Sequence, residues 1–341
     1  MQSDFTEDQL IEQTRRRLVG WDAAEVHLQK IEKGGSDRCY YRVSAGGRFR
    51  GPATVILMVY TDRRPDNLSF FAATEVLALR KVRTPRVYFH DPSLRLGWME
   101  DLGRLDLWEY RNAAPEERLP LYRDVLGQAA QIHSLRLPDI PDQLRHRLQP
   151  PFDESLYRWE QDYFFDHFAN NFSALPREEI DRIRQLPEFG DLAAALAQMP
   201  RFMVHRDFQS QNVLVREGKT WLIDYQGLRP GRPEYDLASL LYDPYVSLTP
   251  DERDDLLAHY LEIRPGDDQW DTNPDILAAC CSQRLMQALG AYGNLGLNQD
   301  KPTFLAHIPR AVENLLFVLD RHGVLPSLRS LLQIRERNAA A

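Results

Sequence analysis

One β-rich island interrupts the otherwise helical last two-thirds of this chain: "FMVHRDFQSQNVLVREGKTWLIDYQG", residues 202–227. The apolar "FMV" reads as a short strand that opens into a polar loop. "NVLVREGKTWLID" then alternates around Glu217-Gly218, the mark of a hairpin closed by a tight turn. A hairpin returns the chain towards its start, so Asp224 comes back towards a loop that already holds His205, Arg206, Asp207 and Asn212.

The surroundings fit two lobes. Residues 5–19 carry apolar positions at helical spacing and predict an opening helix. From "EVHLQKIEKGGSDRCYYRV" to "ATVILMVY", β-branched and aromatic runs separated by glycines predict short antiparallel strands. "SFFAATEVLALRKV" returns to helical periodicity, and "RVYFHD" and "LGWMEDLG" read as two further strands. Beyond Gly103, amphipathic helices are predicted over 115–135, 153–172, 177–197, 251–263, 274–295 and 303–321. A strand-rich first third followed by helices is an α+β layout, and 341 residues are many for one core. The expected division is a small lobe over 1–100, a hinge at 101–104 within "MEDLG", and a helical lobe over 105–341. A cleft between lobes is where a small ligand sits.

Charge and cysteine usage remove several classes. A formal net charge of −8 argues against a nucleic-acid partner held through its phosphates. Cys39, Cys280 and Cys281 make neither a disulfide framework nor a CxxC metal knuckle, which fits a reducing compartment. The first residues are charged, and no apolar stretch is long enough to cross a bilayer. The expectation is a cytoplasmic monomer with no membrane partner.

Phosphoryl transfer asks for few protein groups: a carboxylate to accept or orient the acceptor hydroxyl proton, and oxygen ligands for Mg²⁺ on the nucleotide phosphates. Asp207 suits the first task, and Asn212 and Asp224, as hard oxygen donors, the second. His205, Arg206, Asp207 and Asn212 meet the spacing H-R-D-x-x-x-x-N, and the hairpin supplies the second Asp. Taken singly, these residues are a turn cap, a left-handed Asn and a strand-ending Asp. Together they predict an ATP- and Mg²⁺-dependent kinase of a small molecule.

"VHRDFQSQNVLV", "LIDYQGLRPG" and "EYDLASLLYDPY" resemble, in that order, the catalytic loop, metal segment and following helix of the aminoglycoside phosphotransferase and choline kinase family. The resemblance spans about residues 25–320 and implies a protein-kinase-like fold, with a small antiparallel-sheet lobe and a larger helical one. The loop reads "HRD" where aminoglycoside enzymes usually have "HGD". With "ASL" and "SQRLMQALGAYGNLG", it is most similar to the bacterial branch that phosphorylates the anomeric hydroxyl of N-acetylmuramate and N-acetylglucosamine in cell-wall recycling. "KGGSDRCYYRV" lies where that family's phosphate-covering hairpin belongs, so Gly34, Gly35, Ser36 and Arg38 are the candidate nucleotide-binding residues.

The strand "TVILMVY" departs from kinases by placing Met58 where a phosphate-binding Lys is expected. Arg38, Arg42 and Lys33 are the candidate replacements, and Glu75, that Lys's usual partner, reads as a solvated helix residue. His133 is expected to pack or bind backbone, and Asp236 to anchor the catalytic loop. "YRWEQDYFFDHF" reads first as a core helix. The resemblance implies that helices inserted here line the acceptor pocket, which makes Trp159, Glu160 and Asp162 candidate substrate contacts. Arg229 is a candidate for a phosphate or an acidic neighbour. Two other readings stay open: a kinase of a cationic acceptor such as an aminoglycoside or a choline-like amine, and a catalytically weak kinase-like binding module.

Overall fold

The computed structural model describes residues 5–21, 25–31, 38–46, 51–264, 266 and 273–334. It opens with α1 (Glu7–Arg17), whose start is fixed by a reciprocal cap: Gln9 N donates to Thr6 Oγ1 and Thr6 N to Gln9 Oε1. The strands β1 (Glu25–Ile31), β2 (Cys39–Gly46) and β3 (Thr54–Val59), then helix α2 (Pro65–Ala78), then β4 (Val87–Asp91) and β5 (Leu96–Glu100) follow. All five strands lie in one antiparallel sheet of order β1-β2-β3-β5-β4.

The two-residue period of the strands divides the sheet into two apolar faces. Val43, Val55, Leu57 and Trp98 pack with Leu10, Leu18 and Trp21 beneath α1. Trp98 Nε1 donates to Thr14 Oγ1 at 2.9 Å and ties that helix down. Met58 and Met99 point the other way, into the main core beside Phe70 and Phe71 of α2.

Past β5 the chain is helical: α3 (Pro115–His133), α4 (Asp142–Arg145), α5 (Glu154–Phe164), α6 (Asn170–Phe172), α7 (Arg177–Arg184) and α8 (Pro187–Gln198). The stretch predicted as one helix over 177–197 divides at Gln185–Leu186, because Pro187 starts a new helix and cannot continue the old one. The β-rich island supplies β6 (Phe202–Val204), β7 (Val213–Arg216), β8 (Lys219–Leu222) and β9 (Arg229–Gly231). β7 and β8 form the expected hairpin, with Glu217 and Gly218 both at positive φ, as a type I′ turn demands. β6 pairs with β9. Last come α9 (Pro233–Leu241), α10 (Pro250–Ile263), α11 (Pro274–Asn298), α12 (Ile308–His322) and α13 (Leu328–Leu331).

One close approach organises the larger lobe. A Cβ on Gly290 would lie 2.8 Å from the Tyr163 carbonyl oxygen, and one on Gly293 would collide with that of His167. These two glycines let α11 lie directly on α5 where α5 opens into a π-helical turn, Phe165–Ala169. Among the described residues, no helix is long and apolar enough to cross a membrane.

Candidate active site

The loop after β6 is held by two buried carboxylates from the α9 region. Asp236 accepts from the backbone N–H groups of His205 and Arg206, at 2.7 and 2.8 Å, and Asp243 from that of Ser210 at 2.8 Å. Asp236 is itself held by His133 Nε2 at 3.1 Å, while His133 Nδ1 meets the Tyr260 hydroxyl at 2.6 Å. His133 is fully buried and packs on Tyr260, as one of the two expectations had it, and its ring nitrogens bond two side chains. Asn212 Nδ2 donates to the Asp207 carbonyl at 2.8 Å, and Ile223 N donates to the Asn212 carbonyl at 3.0 Å. The loop and the returning hairpin are thus stitched together.

Arg206 has φ +79°, a left-handed conformation that favours glycine and is uncommon for a long side chain. Its guanidinium lies 3.6 Å from Glu160, a fully buried carboxylate of α5 that also accepts from the Tyr235 hydroxyl and from Gln283 Nε2. Burial pushes the half-buried Asp207 carboxyl up, but Arg206 first, then Arg284, His205 and Arg229, outweigh it and hold the group below the usual carboxylate range. Asp207 is therefore an ionised carboxylate at neutral pH. Burial, together with the neighbouring Arg206 guanidinium, pulls Arg229 down to about 10.

Asp224 also sits at positive φ, +61°, at the start of the turn "YQG". Arg38 Nη2 donates to Asp224 Oδ1 at 2.7 Å, and Arg38 Nη1 to Gln226 Oε1 at 2.6 Å. Arg38 is buried and lies immediately before β2. Met58 is fully buried in the core, while Ile56, on the same sheet face, lines the cleft. Arg42 forms a two-pronged ion pair with Asp101 just past β5. Of the two candidate replacements for the strand Lys among the described residues, Arg38 is the one placed on the Asp224–Gly227 segment; Lys33, like Gly34, Gly35 and Ser36, lies outside the described residues. Glu75 is exposed and 4.0 Å from Arg147. The contact between α2 and the segment after Asp224 is made instead by Thr74 Oγ1 with the Tyr225 hydroxyl at 3.0 Å, and by Phe70 stacked on Tyr225.

Asp207, Asn212, Asp224 and Arg38 all line one cleft of about 770 Å³. One part of its wall is apolar: Ile31, Ile56, Met99, Leu102, Leu214 and Ile223. Another is aromatic and amide-bearing: Tyr163, Tyr245, Tyr292 and Phe304 with Gln209 and Gln287. Arg284 of α11 opens into the same cleft. The sequence flagged "SQRLMQALGAYGNLG" as a family-like helix without assigning Arg284 or Gln287 a role, since nothing local tells which helix face meets a cleft built by other segments.

The proposed substrate contacts separate. Trp159 is half-exposed and stacked on Tyr163, 5.2 Å between ring centres. Glu160 is buried beneath Arg206. Asp162 pairs with Arg184 at 2.6 Å. Arg229 donates to the Gly227 carbonyl and lies over the Phe152 ring. None of these four lines the cleft, whereas Tyr163, on the same helix, does.

The donor set suits a magnesium ion. Asp224 offers a carboxylate, and Asn212, with its N–H₂ engaged by Asp207, offers an amide oxygen. Among the described residues, no group of three His, Cys, Asp or Glu is placed to hold a metal by protein alone. Mg²⁺ characteristically takes one or two protein oxygens and completes its shell with phosphates and water.

Residues 27–271 match the family described as "Phosphotransferase enzyme family". The N-acetylmuramate/N-acetylglucosamine kinase of Pseudomonas aeruginosa is 24% identical over 336 residues, 94% of this chain and 93% of that one. The kinase of the same name from Neisseria meningitidis is 25% identical over 305 residues, 86% of each chain. Among solved structures, choline kinase LicA from Streptococcus pneumoniae superposes with a TM-score of 0.60 at 17% identity, covering 91% of this chain and 98% of that one. ADP-bound aminoglycoside phosphotransferase APH(2'')-Ib gives 0.59 at 13% identity, covering 91% and 97%. These structures share the two-lobed α+β fold.

Proposed function

This chain belongs to the phosphotransferase enzyme family, and we propose that it is an ATP-dependent kinase acting on the anomeric hydroxyl of an N-acetylated amino sugar. One observation carries the reaction type. A half-buried carboxylate, Asp207, is held ionised in a cleft that also receives the paired Arg38 and Asp224. The acceptor class is supported by the names of the two bacterial relatives and by the chemistry of the α11 wall.

In this reading residues 1–100 cover the nucleotide, 101–104 are the hinge, and 105–341 carry the catalytic loop and acceptor pocket. The apolar wall takes the nucleobase, and Arg38 the phosphates, in place of a strand Lys. Asn212 and Asp224 would hold Mg²⁺, which supplies positive charge to the phosphate oxygens when bound. Asp207 accepts the proton of the acceptor hydroxyl as its oxygen bonds to the γ-phosphorus. The bond from that phosphorus to the β–γ bridging oxygen breaks, and ADP leaves with the electron pair. Gly34, Gly35 and Ser36 remain proposed as backbone donors to the phosphates.

The α11 wall speaks against a cationic acceptor. A polyamine or quaternary amine needs carboxylates or an open aromatic cage. Tyr163, Tyr245, Tyr292 and Phe304 give this wall aromatic rings, but α11 lends it no acid, and the Arg284 guanidinium among its residues would repel a cation. A binding-only module is disfavoured because Arg38 supplies the cation whose loss from β3 had suggested one. The test is a phosphorylation screen with Mg²⁺·ATP over free amino sugars, neutral sugars, an aminoglycoside and choline. The proposal expects turnover of N-acetylated amino sugars alone, and preferential turnover of either amine would overturn it.

A further inference from the structure

Arg284 is a buried cation with no carboxylate in ion-pair contact. Its Nε donates to Ser239 Oγ at 3.1 Å, Nη1 to Gln287 Oε1 at 2.5 Å, and Nη2 reaches Gln209 Oε1 at 3.5 Å. These partners are neutral, and no Asp or Glu lies within ion-pair distance of Arg284 among the described residues. Asp207 and Glu160 favour its charge from farther off, but burying a guanidinium with no carboxylate in direct contact is costly, and a ligand carboxylate would supply that contact. Three other arginines lining the cleft have carboxylates: Arg38 has Asp224, Arg42 has Asp101, and Arg206 has Glu160.

Its neighbours say which ligand. Ser239, Gln287 and Gln209 stand on α9, α11 and the catalytic loop, so Arg284 belongs to the larger lobe. Arg38 joins the start of β2 to the metal segment, where the phosphates are expected. Arg284 also shares its wall with Gln287, Ala288, Ala291 and Tyr292, a surface of amides, small residues and an aromatic ring suited to a sugar. We infer that Arg284 receives a carboxylate carried by the acceptor, so that the enzyme prefers an N-acylated amino sugar bearing an acidic substituent over its neutral counterpart. The inference rests on the proposed acceptor class and adds the residue that sorts acidic from neutral members of it. A guanidinium–carboxylate contact in a part-dry cleft corresponds to about 10- to 100-fold in affinity.

The experiment compares kcat and KM for N-acetylmuramate, which bears a lactyl carboxylate, and for neutral N-acetylglucosamine. It uses the wild type, Arg284→Gln, Arg284→Lys and Gln287→Glu. Gln287→Glu keeps the arginine but sets a carboxylate against Nη1, so it occupies the site without emptying it. The inference expects the acid-over-neutral ratio of kcat/KM to fall about 10-fold or more in Arg284→Gln and in Gln287→Glu, chiefly through KM of the acid, with partial rescue in Arg284→Lys. Equal losses for both sugars would overturn it, because they would assign Arg284 to the transferring phosphoryl group or to packing. An unchanged ratio in folded variants would overturn it as well. Wild-type turnover of neither sugar would remove the acceptor class itself and this inference with it, an outcome distinct from the other two.

Discussion

The guanidinium of Arg38 donates to Asp224 Oδ1 at 2.7 Å, joining residues 186 positions apart. It brings a cation from the start of β2 onto the candidate metal carboxylate, at the point where a kinase would ordinarily bring one from β3. Replacing Arg38 with Met should raise the KM for ATP and lower kcat/KM for ATP by about 10- to 100-fold, with a smaller effect on the acceptor KM. Steady-state kinetics in both substrates check this. A variant that loses acceptor affinity alone would place Arg38 elsewhere in the reaction.

The complement of that finding is Met58, which is fully buried among core side chains. Met58→Lys should not restore a phosphate contact. An ammonium at that position has no carboxylate partner, so a loss of about 3–5 kcal/mol is expected. Thermal melts with and without Mg²⁺·ATP measure it: a large drop in Tm that nucleotide does not recover is expected, and a nucleotide-rescued melt would show that the strand faces the phosphates after all.

Asp207→Asn keeps the side-chain volume and removes the basic oxygen, so turnover should fall about 10²–10⁴-fold in a folded protein. A second variant reads the charge around that oxygen. Burial raises Asp207, and Arg206 is the leading group that brings it back below its ordinary value. The base is then ionised above its depressed pKa and lost to protonation only as pH falls through it. Arg206→Gly removes that cation, and glycine suits φ +79°. The acid limb of kcat/KM should move to higher pH, and an unmoved limb would separate Arg206 from the ionisation of Asp207.

Gly293→Ala tests the packing that brings Tyr163 and Arg284 to a common wall. A Cβ there collides with the His167 carbonyl oxygen, a backbone atom that cannot swing aside. Overpacking of this kind costs about 1–3 kcal/mol, visible as a lower Tm. Acceptor KM should rise with it, since α11 must retreat from α5. An unchanged Tm would mean that the two helices are not in this contact.

The sequence reveals the parts of the site that are local in the chain. Asp207, Asn212 and Asp224 lie within eighteen residues on one loop and one hairpin, and strand alternation with a Glu-Gly turn is enough to bring them together. Asp236 was legible as an anchor, yet Asp243, which holds the other end of the loop, gave no separate signal. The wall proposed for the acceptor is the opposite case. Glu160 and Trp159 are adjacent in sequence, but one is buried beneath Arg206 and the other half-exposed, and the residue that reaches the cleft is Tyr163, one turn further on. Arg284 lies 77 residues past Asp207, and only the crossing of α11 over α5 decides that it faces inward. Periodicity shows that a helix has two faces, but not which one a distant segment will meet.

The anomeric assignment is tested most directly by comparing an N-acetylated amino sugar with its methyl glycoside. The glycoside differs in carrying a methyl group on the proposed nucleophilic oxygen, so the account predicts phosphorylation of the free sugar and none of the glycoside. ³¹P NMR should show the product phosphate on the anomeric oxygen. Turnover of the methyl glycoside at a rate near that of the free sugar would contradict the account, because the reacting hydroxyl would then lie elsewhere on the ring.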